Sequence, residues 1–286
     1  MVESKIQNPT SKIPPVLRGK TIGIIGAGTM GQALIKGLLA RGLPLRAVRA
    51  ADPDGQARRR VQRRFGVRVI EENARVVRES DIILLAVKPQ QLPEVTVQIA
   101  PHLTRRQLVV SIAAGITLRW LQGRLRGIPV VRVMPNLPAT VGCGFSAMAA
   151  GRAAGSRDRA IARALFEAVG AVVELPERSF DAITAVSGSG PAYVFFLAGT
   201  WEMAARALGL PGAVAAQAVA QTLQGSVQLL RDSGEPPETL LRRVASKRGT
   251  TEAALRVLAK RKVAVSFREA IRAAADRSRA LASSRR

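Results

Sequence analysis

At 286 residues, 47% of them hydrophobic, the chain is long enough for two domains and apolar enough to give each a core. Aromatic residues are only 3%, so Ala, Val and Leu must do the packing, and a single cysteine, Cys143, excludes an internal disulfide framework and fits a reducing compartment. The formal charge of +24 comes mostly from arginine spread along the chain; lacking interleaved aromatics or a nucleic-acid fold signature, it argues against sequence-specific nucleic-acid binding and leaves only charge-driven adhesion.

Residues 1–18 carry Pro9, Pro14 and Pro15 among polar residues without periodicity and read as a loose extension. No apolar run follows Lys5 and Lys12, so no secretory signal is visible and a cytoplasmic location is expected. Strand and helix patterns then alternate. Residues 21–25 form a short apolar strand, followed by a helix over 30–41. Further strands are predicted at 47–51, 66–70, 81–87, 108–113 and 130–134, with helical segments between most of them. Residues 145–150 and 171–175 read as antiparallel edge strands. Apolar strands spaced by helices indicate an α/β fold with a doubly wound, Rossmann-type sheet over residues 19–176.

After Pro176 no strand pattern appears. Residues 177–286 read as an all-helical domain, punctuated by Gly209, Pro211, Gly234, Pro236 and Pro237. The apolar stretch 193–210 is interrupted by Glu202 and Arg206, which argues against a membrane span. Between two apolar helical patterns, 180–186 and 192–208, lies Ser187-Gly188-Ser189-Gly190-Pro191, a run that ordinary helix chemistry avoids. It reads as a helix–helix break, with Pro191 free to start the next helix.

The chemistry-bearing motifs cluster at strand ends. Gly26-Ala27-Gly28-Thr29-Met30-Gly31 follows a strand and opens a helix, the context of a dinucleotide fingerprint. Gly26 permits the tight turn, Gly28 lets the pyrophosphate approach, and Gly31 allows close helix–strand packing. The helix start offers free N–H groups to phosphate. Asp52, past the second strand, favours the ribose hydroxyl of NAD, whereas Arg49, Arg58 and Arg59 favour the extra phosphate of NADP; the residues leave both open. Lys88 and Pro89 end the fourth strand at the same carboxyl edge, as Ser111 to Gly115 and Met134-Pro135-Asn136 end the next two. Lys88 suits either a ribose contact or plain solvent exposure. In the helical half, Ser246, Gly249, Thr250 and Thr251 enter a helix beginning near Glu252, with the N–H groups and hydroxyls that seat a carboxylate; ordinary helix capping by Thr250 or Thr251 explains the same residues. His102, the only histidine, lies away from every motif, and no metal cluster is expected.

Together these motifs resemble the pyrroline-5-carboxylate reductase family from about residue 20 to 281. The resemblance rests on the glycine turn, Ala86-Val87-Lys88-Pro89-Gln90, Val131-Arg132-Val133-Met134-Pro135-Asn136, and Ser187 through Tyr193. It implies NAD(P)H-dependent reduction of the cyclic imine 1-pyrroline-5-carboxylate to L-proline, the last step of proline biosynthesis. NADP is the implied coenzyme, with NAD as the alternative. Ile25, Gly26, Ala27, Gly28, Thr29, Met30, Asp52, Asn73, Ala86, Val87, Lys88, Pro89, Ile112, Ala113 and Ala114 would line its site. Ser246, Gly249, Thr250 and Thr251 would hold the substrate, with Thr251 on the ring nitrogen as the nearest thing to a catalytic residue. A protonated imine accepts hydride without a strong enzymic acid, which suits a chain without a histidine at any motif. The resemblance also implies a homodimer, or a higher homo-oligomer, with exchanged helices, and no specific nucleic-acid or membrane partner.

Three departures stand out. Lys247-Arg248 replaces the family's usual Pro-Gly, so a left-handed glycine there would become an arginine at a cost of about 1–2 kcal/mol. Cys143 stands where glutamate is common, and basic Lys260, Arg261 and Lys262 follow the carboxylate helix. Two other readings compete: a catalytically weakened NAD(P)-binding or regulatory protein, and a β-hydroxyacid dehydrogenase-like enzyme. The second resembles a pattern with a catalytic lysine and paired asparagines that this chain lacks.

Overall fold

A computed structural model describes residues 13–283. The strands are β1 (Ile22–Ile25), β2 (Val48–Ala51), β3 (Arg68–Ile70), β4 (Ile82–Leu85), β5 (Leu108–Ser111), β6 (Val130–Met134), β7 (Gly144–Ala150) and β8 (Gly170–Glu174). They form one sheet in the order β3-β2-β1-β4-β5-β6-β7-β8. The first six are parallel in the order of a dinucleotide-binding sheet, and the order reverses between β1 and β4.

The helices of this half are α1 (Thr29–Ala40), α2 (Gly55–Phe65), α3 (Asn73–Arg78), α4 (Leu92–Ile99), α5 (Leu118–Arg124), α6 (Ser156–Glu167) and the short α7 (Phe180–Ile183). Strand side chains alternate between faces, so Ile22, Ile24, Ile82 and Leu84 meet Leu34, Ile35, Val61 and Phe166 on one side. Ile25, Ile83 and Leu85 meet Val76, Val77, Leu92 and Leu121 on the other. Each fully buried Leu or Ile contributes roughly 1.5–3 kcal/mol. Covering both faces is what the continuous apolar strands required.

Several expectations shift. Of the segment expected to be loose, residues 1–12 lie outside the described residues. Pro15–Leu17 forms a 3-10 turn, and Leu17 is fully buried because it caps the α1 and α6 side of the core. β7 is antiparallel to β6 but lies inside the sheet; of these two strands it is β8 that forms an edge, opposite β3. β8 is parallel to β7, since α6 returns the chain as a crossover. A turn follows Pro89, and α4 starts at Leu92 with Pro93 in its first turn.

The chain divides into two compact units. One runs to Gly188 and takes back the chain from Ala275; the other is Ser189–Ala274. Residues 177–188 pack with the sheet, so this compact unit ends at Gly188. Phe180 is buried against the sheet, and Ser278 Oγ donates to Asp181 Oδ1 at 2.7 Å, which anchors both chain segments to the first unit. Residues 187–190 do not interrupt the helix as a turn would. Thr184–Gly188 is a π-helical turn that leads at Gly190 into α8 (Gly190–Ala207).

The second unit contains α8, α9 (Gly212–Ser233), α10 (Pro237–Val244), α11 (Thr250–Lys260) and most of α12 (Val263–Ser283). Tyr193 meets Phe267 edge-on at 5.7 Å between ring centroids. Its buried hydrophobic residues are few, namely Ala205, Ala215 and Val219, while Phe196 is 77% and Met203 73% exposed. Taken alone, this unit leaves most of its apolar surface uncovered.

Candidate active site

The carboxyl ends of β1, β4 and β5 lie side by side at the reversal of strand order. Ala86 N–H donates to Ile25 O at 2.8 Å, and Ile112 N–H to Leu85 O at 3.1 Å, so the segments after these strands share one edge. The glycine turn is shaped by sterics. Gly26 has φ +101, and a Cβ there would stand 2.7 Å from Ala86 O. A Cβ on Gly31 would stand 2.3 Å from Gly26 O, whereas one on Gly28 would meet nothing within 4 Å. Gly28 is also the N-cap of α1, and no side chain caps that helix. The first-turn N–H groups thus have no side-chain acceptor, which fits a pyrophosphate.

Ile25, Ala27 and Ala113 are buried, so they can offer a ligand only backbone; Gly28, Thr29, Lys88 and Ala114 are exposed, and Met30, Val87, Pro89 and Ile112 half-buried. Asp52 has a second task. Its Oδ2 accepts from Ala27 N at 2.7 Å and its Oδ1 from Asp54 N at 2.9 Å, so it ties the turn after β2 to the glycine turn. Of the arginines near it, Arg49 is held by Glu79 at 2.9 Å. Arg58 donates to Asp52 O and Pro53 O and pairs with Glu71 at 3.1 Å. Arg59 is exposed and lines an open groove along α2 with Gln56, Arg60, Arg63 and Arg64. Asn73, at the start of α3, donates to Gln98 Oε1 at 2.7 Å, but its own Oδ1 is buried without a partner. That orphaned acceptor fits a donor from a bound ligand. His102 lies before β5, at the opposite end of the strand from this edge.

Asn136, which the sequence placed at the end of a strand without a role, joins β6 to the π turn. Asn136 Nδ2 donates to Ser187 Oγ at 3.1 Å and Ser187 O at 3.3 Å, while its Oδ1 accepts from Phe145 N at 2.8 Å. Its position just past β6, at the same edge, was the available signal. A Cβ on Gly188 would come within 2.8 Å of the Met134 Cε methyl, so the π turn packs closely on the end of β6. Buried Arg132 holds the same region: it pairs with Glu177 at 2.8 Å and lies over the Phe180 ring at 4.5 Å.

On the second unit, Ser246 to Thr251 form a tight turn and a helix start. Gly249 N–H donates to Ser246 O at 3.0 Å, and Arg248 occupies the third turn position with φ +61. Gly249 is the N-cap of α11, with no side-chain cap, so Thr250 and Thr251 are its first two residues and do not cap it. Thr250 is exposed and Thr251 half-buried. A Cβ on Gly249 would stand 2.3 Å from Ser246 Oγ. Glu252 accepts from Arg248 N and from Arg256 at 2.6 Å; these two donors hold its carboxyl below the ordinary range. Among the described residues no cluster of His, Cys, Asp or Glu could hold a metal ion.

Residues 177–281 match the family described as pyrroline-5-carboxylate reductase dimerisation, and residues 21–115 match NADP oxidoreductase, coenzyme F420-dependent. The pyrroline-5-carboxylate reductase of Pseudomonas aeruginosa is 41% identical over 263 residues, covering 91% of this chain and 96% of that protein. The structure of the Coxiella burnetii pyrroline-5-carboxylate reductase is similar with a TM-score of 0.85 at 30% identity, over 92% of this chain and 98% of that one. That of the Plasmodium falciparum enzyme with NADP bound gives 0.84 at 28% identity and the same coverage.

Proposed function

We infer the activity of this chain from the family it belongs to, the pyrroline-5-carboxylate reductases. It is an oxidoreductase that reduces 1-pyrroline-5-carboxylate to L-proline with NAD(P)H, in proline biosynthesis. NADPH, when bound, supplies the hydride. The β-hydroxyacid dehydrogenase reading is set aside by the family match. One observation carries the site assignment: the same chain presents two helix starts without a side-chain cap, one at Gly28 between the sterically required Gly26 and Gly31, the other at Gly249.

In this reading, Gly26, Ala27, Gly28, Thr29 and Met30 form the pyrophosphate turn: the Gly26 and Ala27 N–H groups are held by Ala51 O and Asp52, and those at the start of α1, from Gly28 to Met30, meet the phosphates. Ile25, Asp52, Asn73, Ala86, Val87, Lys88, Pro89, Ile112, Ala113 and Ala114 complete the coenzyme site. The orphaned Asn73 Oδ1 accepts a ligand donor, and Asp52 keeps the turn in register. Ser246, Gly249, Thr250 and Thr251 seat the substrate carboxylate, and the Thr251 hydroxyl bonds the ring nitrogen and orients the C=N bond. Positioning, not a strong acid, then does the catalytic work. Residues 19–176 bind the coenzyme, and 177–286 bind substrate and form a homodimer or larger homo-oligomer. The uncovered apolar surface of α8 supports that assembly. The helical stretch 177–207 is also long and apolar enough to cross a membrane, at mean hydropathy 1.3, but we assign its apolar face to a second copy of the chain. We assign the reaction to the cytoplasm, in keeping with a chain that carries a single cysteine.

The test is NADPH oxidation with and without added 1-pyrroline-5-carboxylate. Oxidation only with the imine is expected. Coenzyme binding without turnover over a broad pH range would favour a weakened, regulatory protein instead.

A further inference from the structure

The turn before α11 has an unfavourable residue at its tightest point. The four-residue turn closed by Gly249 N–H to Ser246 O has its third position left-handed, where a Cβ crowds the carbonyl oxygen and glycine is preferred. This chain has Arg248 there, at φ +61. The neighbouring position is tight as well: a Cβ on Gly249 would stand 2.3 Å from Ser246 Oγ and 3.1 Å from Ser246 O. Something must hold Arg248 in place.

We propose that Glu252 is a positioning residue that clamps this turn, accepting the Arg248 N–H on Oε2 and the Arg256 guanidinium on Oε1. Glu252 is the third residue of α11, where a side chain can reach back over the helix start, as in a capping box. Here the reach extends one residue before the N-cap, to the backbone of the strained residue itself. A carboxylate also suits the positive helix end, and Arg256 offsets its charge near an anionic substrate. The clamp keeps the N–H groups of α11 and the Ser246 hydroxyl in a fixed geometry. The proposal rests on the reading that this loop seats the substrate.

Compensation of this kind predicts coupling. Glu252→Ala should raise KM for 1-pyrroline-5-carboxylate by about tenfold with little change in kcat, and should speed hydrogen exchange at 248–252. In an Arg248→Gly background the left-handed position is unstrained, and the same Glu252→Ala change should raise KM by no more than about twofold. Glu252→Gln, which keeps an acceptor for the Arg248 N–H, should recover most of the KM and gives a readout should the alanine variant fold poorly. Equal effects of Glu252→Ala in both backgrounds, or unchanged exchange, would overturn the clamp. Coupled exchange with KM unchanged in every variant would instead overturn the substrate assignment, and the positioning role with it.

Discussion

Three glycines show how one atom separates a necessity from a preference. A Cβ at Gly31 meets a backbone oxygen at 2.3 Å, which cannot yield without moving the turn itself. Gly31→Ala should therefore weaken NADPH binding by tenfold or more, read by quenching of protein fluorescence, an order-of-magnitude loss for a displaced phosphate loop. At Gly188 the obstacle is the mobile end of the Met134 side chain. Gly188→Ala should keep coenzyme affinity and lose only about 1–3 kcal/mol of stability to overpacking. Gly28 differs again, since nothing but ligand space faces it. Thr251 belongs at this scale too. A neutral hydrogen bond is worth about 0.5–1.5 kcal/mol, so Thr251→Ala should slow turnover several-fold to tenfold while NADPH affinity stays put. Unchanged turnover would remove Thr251 from the mechanism.

Between elements, small polar clamps set where strands begin. Asp81, just before β4, accepts from the Thr21 N–H and hydroxyl, both at 2.9 Å, and pairs with Lys20 at 3.4 Å. This joins the starts of β1 and β4, whose opposite ends carry the coenzyme edge. Burial pushes the Asp81 carboxyl up, but the two Thr21 donors and Lys20 outweigh it and hold it below its ordinary value. A depressed folded pKa stabilises the protein above the unfolded carboxyl's value of about 3.9 and loses that contribution as pH falls through the lower folded value. Asp81→Asn should therefore lower the urea midpoint at neutral pH, and the gap from the parent protein should narrow on acidification below about pH 4. A gap constant with pH would mean that the hydrogen bonds alone, not the charge, hold the two strands.

For the molecule as a whole, the two units differ in how they are stabilised. The sheet unit closes two cores of its own, one on each face. The helical unit leaves Phe195, Phe196 and Met203 exposed along α8 and Leu208 just past its end, more large apolar exposure than scattered single residues account for. The protein should be dimeric or larger by light scattering at every workable concentration, and Phe196→Asp should shift it toward monomer with loss of turnover. A parent protein that stays monomeric and active would overturn the assembly. One that partitions into lipid vesicles as a monomer would return the 177–207 helix to the membrane reading.

The sequence by itself determined the parts governed by local rules. Continuous apolar strands spaced by helices specified a doubly wound sheet, and the glycine turn announced itself because its spacing is a steric requirement of the backbone. The change of pattern after Pro176 likewise marked a helical half. Tertiary structure decided what depends on partners distant in the chain. Phe180 and Ser278 tie residues 177–188 and the end of α12 to the first unit, a packing that the change of pattern does not encode. Ser187 to Gly190 looked like a helix break, yet contact with Met134 and Asn136 stabilises a π turn there that no local propensity favours. Asp52 appeared as a ribose ligand and is also a brace, since its neighbour Ala27 lies 25 positions away in sequence but one hydrogen bond away in space. Periodicity and spacing record how a residue relates to its own element; which side chain then occupies the gap between elements is set by packing, and packing is only defined once the chain has folded.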